Sequence, residues 1–374
     1  MRFLHTSDWH LGRTLHGERL LEHQRTFLRW LVATAVARRV DAVLVAGDVY
    51  DRAVPPTDAV RLLDDALADL SRAGITVILT SGNHDSAIRL GFAGALAARA
   101  DVHLRTRPAD LAEPVVLDGV GVYGIPYLLP DAVMAELCAE RSHEAVLAAA
   151  TERIRQDAER RSLDAIVVIA HAFVTGGAAS GSERDIRVGG IGDAPAGVFA
   201  GIDYVALGHL HGAQQVAPNA RYCGSPLPFS FGERHHTKSV ALVEVSDGTV
   251  SHELLATPVP RPMAELSGRL EELLAADGPA SDAWIKVVLT DPHRPPAAMD
   301  RLRERWPHTL VLDFCPDTEK VAASDDLARL GRTSDPIEVC SLFVEWVDST
   351  YPDRAQVDAL HRAVEAVRRA ELSA

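Results

Sequence analysis

At 374 residues the chain has room for two or three domains, and 47% hydrophobic with 24% charged residues is globular composition that excludes a disordered chain. A net charge of −14 argues against binding nucleic acid through bulk electrostatics, because phosphate neutralisation needs a cationic face; any such contact must come from a local basic patch, bound metal ions or a partner. The four cysteines, Cys138, Cys223, Cys315 and Cys340, are far apart and form no C-x-x-C pair, so neither a zinc ribbon nor a disulfide framework is expected; without a signal-peptide pattern or an apolar run of about 18 residues, a cytoplasmic protein is expected.

In chain order, Arg2–His5 reads as a short strand and Glu18–Arg39 as an amphipathic helix, with Leu20, Leu21, Phe27, Leu28 and Leu31 apolar. Asp41–Ala46 is a continuous apolar run, as expected of a buried strand. Thr57 can cap a helix running to Ala73, with Gly74 as its stop. Ile75–Leu79, Ala165–Ala170 and Tyr204–Leu207 are further buried strands. Lys238–Val245 and Thr249–Leu255 flank Asp247-Gly248, a hairpin signal. The run TPVPRP at 257–262 reads as a linker. Beyond it come a helix near Met263–Ala276, a strand Trp284–Thr290, a helix around Pro296–Trp306 and a strand Thr309–Phe314. A polar tether, Pro316–Ser334, leads to a helix opened by Asp335-Pro336. A last helix starts near Asp353, with Val357, Leu360, Val364 and Val367 on one face.

Strand–helix alternation predicts an α/β domain. Each buried strand ends in a polar cluster: SDWH, GDVYD, SGNHD, AH and GHLH. Ligands of α/β sheets bind beyond the carboxyl ends of the strands, so these clusters are expected to converge. They supply Asp8 and His10, Asp48 and Asp51, Asn83, His84 and Asp85, His171, and His209 with His211. Carboxylate, amide and imidazole without thiolate suit divalent ions such as Mn²⁺ or Fe²⁺. The pairs Asp8/His10 and His209/His211 are two apart, which on extended backbone puts both side chains on one side. Asp48 could bridge two ions, which sit about 3.5–4 Å apart in two-metal sites. Taken singly each cluster has a plainer reading: GNHD as a turn, His171 as a satisfied polar residue. Five in order, each closing an apolar run, point to a metal site.

These motifs resemble the calcineurin-like metallophosphoesterase superfamily. Within it, HTSDWHLGR (5–13), GDVYDRAVPP (47–56), SGNHDS (81–86), AHAF (170–173), GHLH (208–211) and GSPLPFSFGE (224–233) resemble the SbcD family of nuclease subunits. The resemblance implies a metallophosphoesterase β-sandwich flanked by helices, with a small α+β capping domain and C-terminal helices. It implies a nuclease domain over 1–258, a DNA-binding cap over 259–315, a linker over 316–334 and a helical partner-binding region over 335–374. One Mn²⁺ would be held by Asp8, His10, Asp48 and His211, the other by Asp48, Asn83, His171 and His209. His84 would be a catalytic residue over the phosphate, and the Asp51 carboxylate would hydrogen-bond its far ring nitrogen as a dyad. Related archaeal and eukaryotic enzymes commonly carry His at the position of Asp51, a departure that leaves the handling of an exonuclease substrate open. The implied activity is Mn²⁺-dependent cleavage of DNA, exonuclease on double strands and endonuclease on single strands. The implied partner is the ATPase SbcC, in a heterotetramer built on a homodimer. A phosphoesterase acting on small phosphodiesters or phosphoproteins, and a non-catalytic scaffold, are the rival readings. His5 is expected in the core; His16, His23, His235, His236, Arg13, Arg89, Arg105 and Arg107 are expected at the surface.

Overall fold

This computed structural model describes residues 1–180, 182–183, 193–246, 248–279, 282–316, 335–348 and 350–371. The chain divides into two compact units, Met1–Ala264 and Glu265–Ala374, so the boundary expected at 258 falls just inside the first unit.

Two six-stranded sheets form the first unit. One runs, in spatial order, Thr249–Ala256, Ser239–Ser246, Arg2–Thr6, Ala42–Ala46, Thr76–Thr80 and Val102–Arg105, and is parallel from Arg2–Thr6 onward. The other runs Gln214–Ala217, Ala220–Tyr222, Tyr204–Gly208, Ala165–His171, Val120–Ile125 and Val115–Leu117, with its four central strands parallel. Side chains alternate faces along a strand. In Ala42–Ala46, Val43 and Val45 join a core with the helices Leu21–Ala37 and Thr57–Arg72, while Ala42 and Leu44 join the core shared by the two sheets. In Ala165–His171, Val167 and Ile169 belong to that shared core, and Val168 and Ala170 pack with the helices Pro130–Leu137 and His143–Arg161. Strands buried on both faces need apolar residues at every position, which is why the sequence reads there as unbroken runs. The sandwich flanked by helices is as expected.

Local differences have physical causes. The first helix begins at Leu21 rather than Glu18, because Glu18–Arg19 pairs with Thr14–Leu15 in a two-stranded ribbon. Thr57 is already the first helical residue; Pro56 occupies the cap position and no side chain caps the helix. Ser246 pairs with Thr249, as the hairpin signal predicts. His5 is fully buried between the sheets: its ring nitrogens lie 3.0 Å from the Tyr204 hydroxyl and 3.1 Å from the Leu207 carbonyl.

A three-stranded sheet in the order Met263–Gly268, Trp284–Leu289, Thr309–Phe314, whose last two strands are parallel, begins at the boundary between the units and otherwise belongs to the second. The helix expected over Met263–Ala276 is instead this first strand followed by a short helix, Leu270–Ala275. Exposure at Glu265 and Ser267 around half-buried Leu266 is the period-two pattern of a strand. The helix Ala298–Arg305 places Leu302 in the buried set with Trp284, Ile285, Val287 and Trp306. Residues 317–334 of the expected tether lie outside the described residues. The C-terminal helices are Pro336–Asp348 and Arg354–Glu371, which pack on each other. Among the described residues no helix is long and apolar enough to cross a membrane.

Candidate metal centre

The polar clusters at the strand ends meet. Main-chain hydrogen bonds knit the first two together: Asp8 N–H to the Gly47 carbonyl at 3.0 Å, His10 N–H to the Asp48 carbonyl at 3.0 Å and Leu11 N–H to the Val49 carbonyl at 2.9 Å. Asp85, the last residue of SGNHD, fastens the third. Its carboxylate accepts from the N–H groups of Val49, Tyr50 and Gly82 at 3.0, 2.8 and 2.9 Å. Glycine is needed where these loops touch. A Cβ on Gly82 would lie 2.1 Å from Asp48 Oδ1, and one on Gly208 would lie 1.8 Å from the Ala46 carbonyl. Asp8, His10, Asp48 and His209 themselves adopt left-handed backbone, with φ of 54°, 43°, 49° and 110°. Non-glycine residues in such conformations store roughly 1–3 kcal/mol each and cluster at functional sites.

Seven of the predicted residues face one another. His10 Nε2 and His211 Nε2 are 3.2 Å apart. Asn83 Oδ1 lies 2.9 Å from His171 Nε2 and 3.3 Å from His209 Nδ1. Asp48 Oδ2 stands between, 3.6 Å from His10 Nε2 and 3.5 Å from His171 Nε2. Asp8 groups with His10 and His211 on one side and with Asp48 and His171 on the other, each trio holding its ligand atoms within 4.8 Å of one another. All except half-buried Asn83 are buried. Burial, with smaller contributions from the other imidazoles, holds His10 and His209 well below the usual histidine range. Burial brings His171 down to about 3 and pushes Asp8 up to about 6. Neutral imidazoles and carboxylates crowded together are lone pairs in want of a cation. Nitrogen and oxygen donors without sulfur fit a borderline-hard divalent ion. The donor set therefore fits the implied metals.

The ring orientations suit this use. His171 Nδ1 lies 2.9 Å from the Ala46 carbonyl, so it carries the proton and leaves Nε2 free to ligate. His211 Nδ1 lies 2.6 Å from Ser182 Oγ and 3.4 Å from Glu233 Oε1. Glu233 is buried against Lys238; burial opposes its charge, but His211 and Lys238 outweigh that and hold the carboxyl far below its usual range.

The expected Asp51–His84 contact is made differently. His84 Nδ1 lies 2.8 Å from the main-chain carbonyl of Asp51 and not at its carboxylate. Asp51 N–H bonds back to the Leu11 carbonyl at 3.2 Å, curling the turn so that the carbonyl meets His84. The carboxylate points the other way, 3.6 Å from His10 Nδ1 and 3.5 Å from Arg13 Nη1. Arg13, expected as solvated surface charge, is instead half-buried: it stacks 4.9 Å over the Phe229 ring and donates to the Ser182 carbonyl at 3.2 Å. His16 and His235 are exposed as expected, whereas His23 and His236 are half-buried. All four cysteines are free.

Several neighbours escaped the sequence reading. Phe229 packs edge-on against His10 and His211, Phe173 against His209 and Tyr127 against His171. Ser182, Glu183 and Lys238 carry no motif, and Glu233 was visible only as the last letter of GSPLPFSFGE. The signal available for Phe173 and Phe229 was their place within the quoted motifs AHAF and GSPLPFSFGE; for Tyr127, Ser182 and Glu183 there was none.

A family model described as calcineurin-like phosphoesterase matches residues 1–213, and one described as type 5 capsule protein repressor C-terminal domain matches residues 259–346. The chain is 37% identical over 292 residues to SbcD of the SbcCD nuclease of Escherichia coli strain K12, covering 74% of this chain and 73% of that one; SbcD of strain O157:H7 matches equally. A dimetal phosphatase from Danio rerio superposes at a TM-score of 0.44 with 14% identity, covering 69% of this chain and 97% of that one, a likeness too loose to bear on function. With the phosphoesterase model matched over more than half its length and a relative 37% identical across 74% of it, the chain belongs to the SbcD family of calcineurin-like phosphoesterases.

Proposed function

We propose that this chain is the nuclease component of an SbcCD-type complex, a Mn²⁺-dependent phosphodiesterase that acts on double-stranded DNA as an exonuclease and on single-stranded DNA as an endonuclease. The observation that carries this reading is the pair of buried donor groups that meet at Asp48 and Asp8, in a chain related to SbcD nucleases. Asp8, His10, Asp48 and His211 would hold one ion; Asp48, Asn83, His171 and His209 would hold the other. When bound, the ions supply Lewis acidity at the phosphate and a water acidified enough to attack it. His84 donates its Nδ1 proton to the Asp51 carbonyl, which turns Nε2 toward the centre, 3.9 Å from Asp48 Oδ2. As imidazolium, that Nε2–H would stabilise the phosphate and supply a proton to the leaving oxygen. Asp51 would serve through its carbonyl at His84 and through its carboxylate at His10 and Arg13.

Two exposed apolar surfaces support the assembly. Ile88, Phe92 and Leu96 recur every four residues and are 86%, 82% and 65% exposed; they suit the homodimer contact. On the Pro336–Asp348 helix, Phe343 and Val347 are 56% and 53% exposed, which suits docking of the ATPase partner in helix-in-groove fashion. A cytoplasmic location follows from a DNA substrate.

The deciding experiment compares purified protein on linear DNA and on bis-p-nitrophenyl phosphate, with Mn²⁺ and with chelator. Mn²⁺-dependent DNA cleavage is expected; turnover of the small ester alone would favour a small-phosphodiester enzyme. Phe343→Glu with Val347→Glu should abolish capture of the ATPase while short DNA is still cut.

A further inference from the structure

Two of the proposed ligand imidazoles, His171 and His211, are secured at Nδ1 by different means. Behind His171 stands the main-chain carbonyl of Ala46, inside a sheet. Behind His211 stand only side chains. Ser182 Oγ, 2.6 Å from His211 Nδ1, also bonds Glu233 Oε1. Glu233 is a buried carboxylate paired with buried Lys238, whose ammonium also reaches the His211 carbonyl at 3.0 Å and Ser225 Oγ at 2.9 Å. An ionised carboxylate only accepts. The single hydroxyl proton of Ser182 therefore goes to Glu233, and Ser182 Oγ accepts the proton on His211 Nδ1. In the neutral ring that a metal ligand must be, that leaves the lone pair on His211 Nε2, directed at His10 Nε2 at 3.2 Å. The same short segment holds the main chain of His211: Glu183 Oε1 accepts from His211 N–H at 2.9 Å and is itself fixed by Ser180 N–H at 3.2 Å.

We infer that Ser182, backed by Glu233, is the positioning residue for the His10/His211 half of the centre: it imposes the Nδ1–H form of His211 and thereby sets metal occupancy there, while the Asn83/His171 half does not depend on it. The inference rests on the two-ion reading above. Outer-shell partners of ligating histidines typically contribute 10–100-fold in metal affinity.

The test uses full-length protein with Ser182→Ala and Ser182→Thr. Mn²⁺ titration followed by calorimetry and electron paramagnetic resonance reads stoichiometry and affinity. Long-range proton–nitrogen correlation on histidine-labelled, metal-free protein reads the His211 tautomer. Wild type should bind two ions. Ser182→Ala should keep one at unchanged affinity, bind the other about 10–100-fold more weakly, and lose the pure Nδ1–H signature; Ser182→Thr should restore both. Equal weakening of both ions, or two ions bound as in wild type, would overturn the inference. Failure of wild type to bind two ions would overturn the metal reading instead; the tautomer then decides alone, and an Nε2–H His211 in wild type sinks the role of Ser182.

Discussion

The two sheets bring different chemistry to their common edge. The first sheet delivers Asp8, Asp48 and Asn83 with a single ligating imidazole, His10; the second delivers imidazoles only, His171, His209 and His211. The mechanical contrast is as sharp. First-sheet loops are bound to one another through main chain and through Asp85, whose three acceptor contacts leave little freedom. On the second sheet, main chain backs His171 at the Ala46 carbonyl and meets the His211 carbonyl through Ser225 N–H, but the N–H groups of His209 and His211 and the His211 ring lean on the side chains of Asp8, Glu183, Ser182 and Glu233. The oxygen-bearing half is thus tied through main chain, whereas the His209/His211 end depends more on side chains. Two cations need fixed negative charge between them, and the neutral ligands around it tolerate more latitude.

The contrast breaks first at Asp48, where the halves meet. Asp48→Ala should lose both ions and cut DNA cleavage by more than about 10³-fold, the order expected when a whole electrostatic apparatus goes; metal analysis showing near wild-type Mn²⁺ content would refute its bridging place. Next is His84→Ala, expected to lower turnover by roughly 10²–10⁴-fold with both ions retained. Because the Asp51 carbonyl and not its carboxylate meets His84, Asp51→Asn should cost less than about 10-fold, and the double variant should be close to additive. Strong non-additivity in a kinetic cycle would restore a carboxylate–imidazole unit.

Stiffness itself is tested at Asp85. Asp85→Ala strands three N–H groups and should cost about 2–4 kcal/mol in chemical denaturation, whereas Glu183→Gln on the second-sheet side should cost less than about 1 kcal/mol. Equal losses would erase the distinction. The smallest effect at neutral pH belongs to His5, which joins the sheets. Burial brings its pKa from 6.5 down to about 3. A depressed pKa contributes stability that is present above 6.5 and lost as pH falls toward 3. In metal-free protein this amounts to about 3 kcal/mol by roughly pH 4. His5→Gln should flatten the acid limb of a stability–pH curve by that amount relative to wild type, and superimposable curves would refute it.

The sequence was most legible where physics acts at every position. Strands such as Ala42–Ala46 and Ala165–His171 are apolar throughout because both faces are buried, and their abrupt polar ends locate the centre. Segments governed by one weak contact were not legible. Met263–Gly268 looks helical in composition, and only pairing with Trp284–Leu289 makes it a strand. Asp51 was visible as a residue beside His84, but which of its oxygens faces the ring depends on the curl of a turn. Ser182 and Glu183 act on His211 across 29 and 28 positions of chain, in a stretch with no periodicity to mark them.

Left-handed backbone at Asp8, His10, Asp48 and His209 has a bearing on how this chain can evolve. Glycine adopts such angles without the steric strain of a Cβ, so at each of these places one substitution would relieve backbone strain while deleting a metal donor and the contacts its side chain makes. His209→Gly, at φ 110°, should relieve that strain, empty a buried place beside His171 and Phe173, and abolish catalysis. Backbone strain alone favours glycine at these positions, and demand for DNA cleavage holds aspartate and histidine in conformations they otherwise avoid.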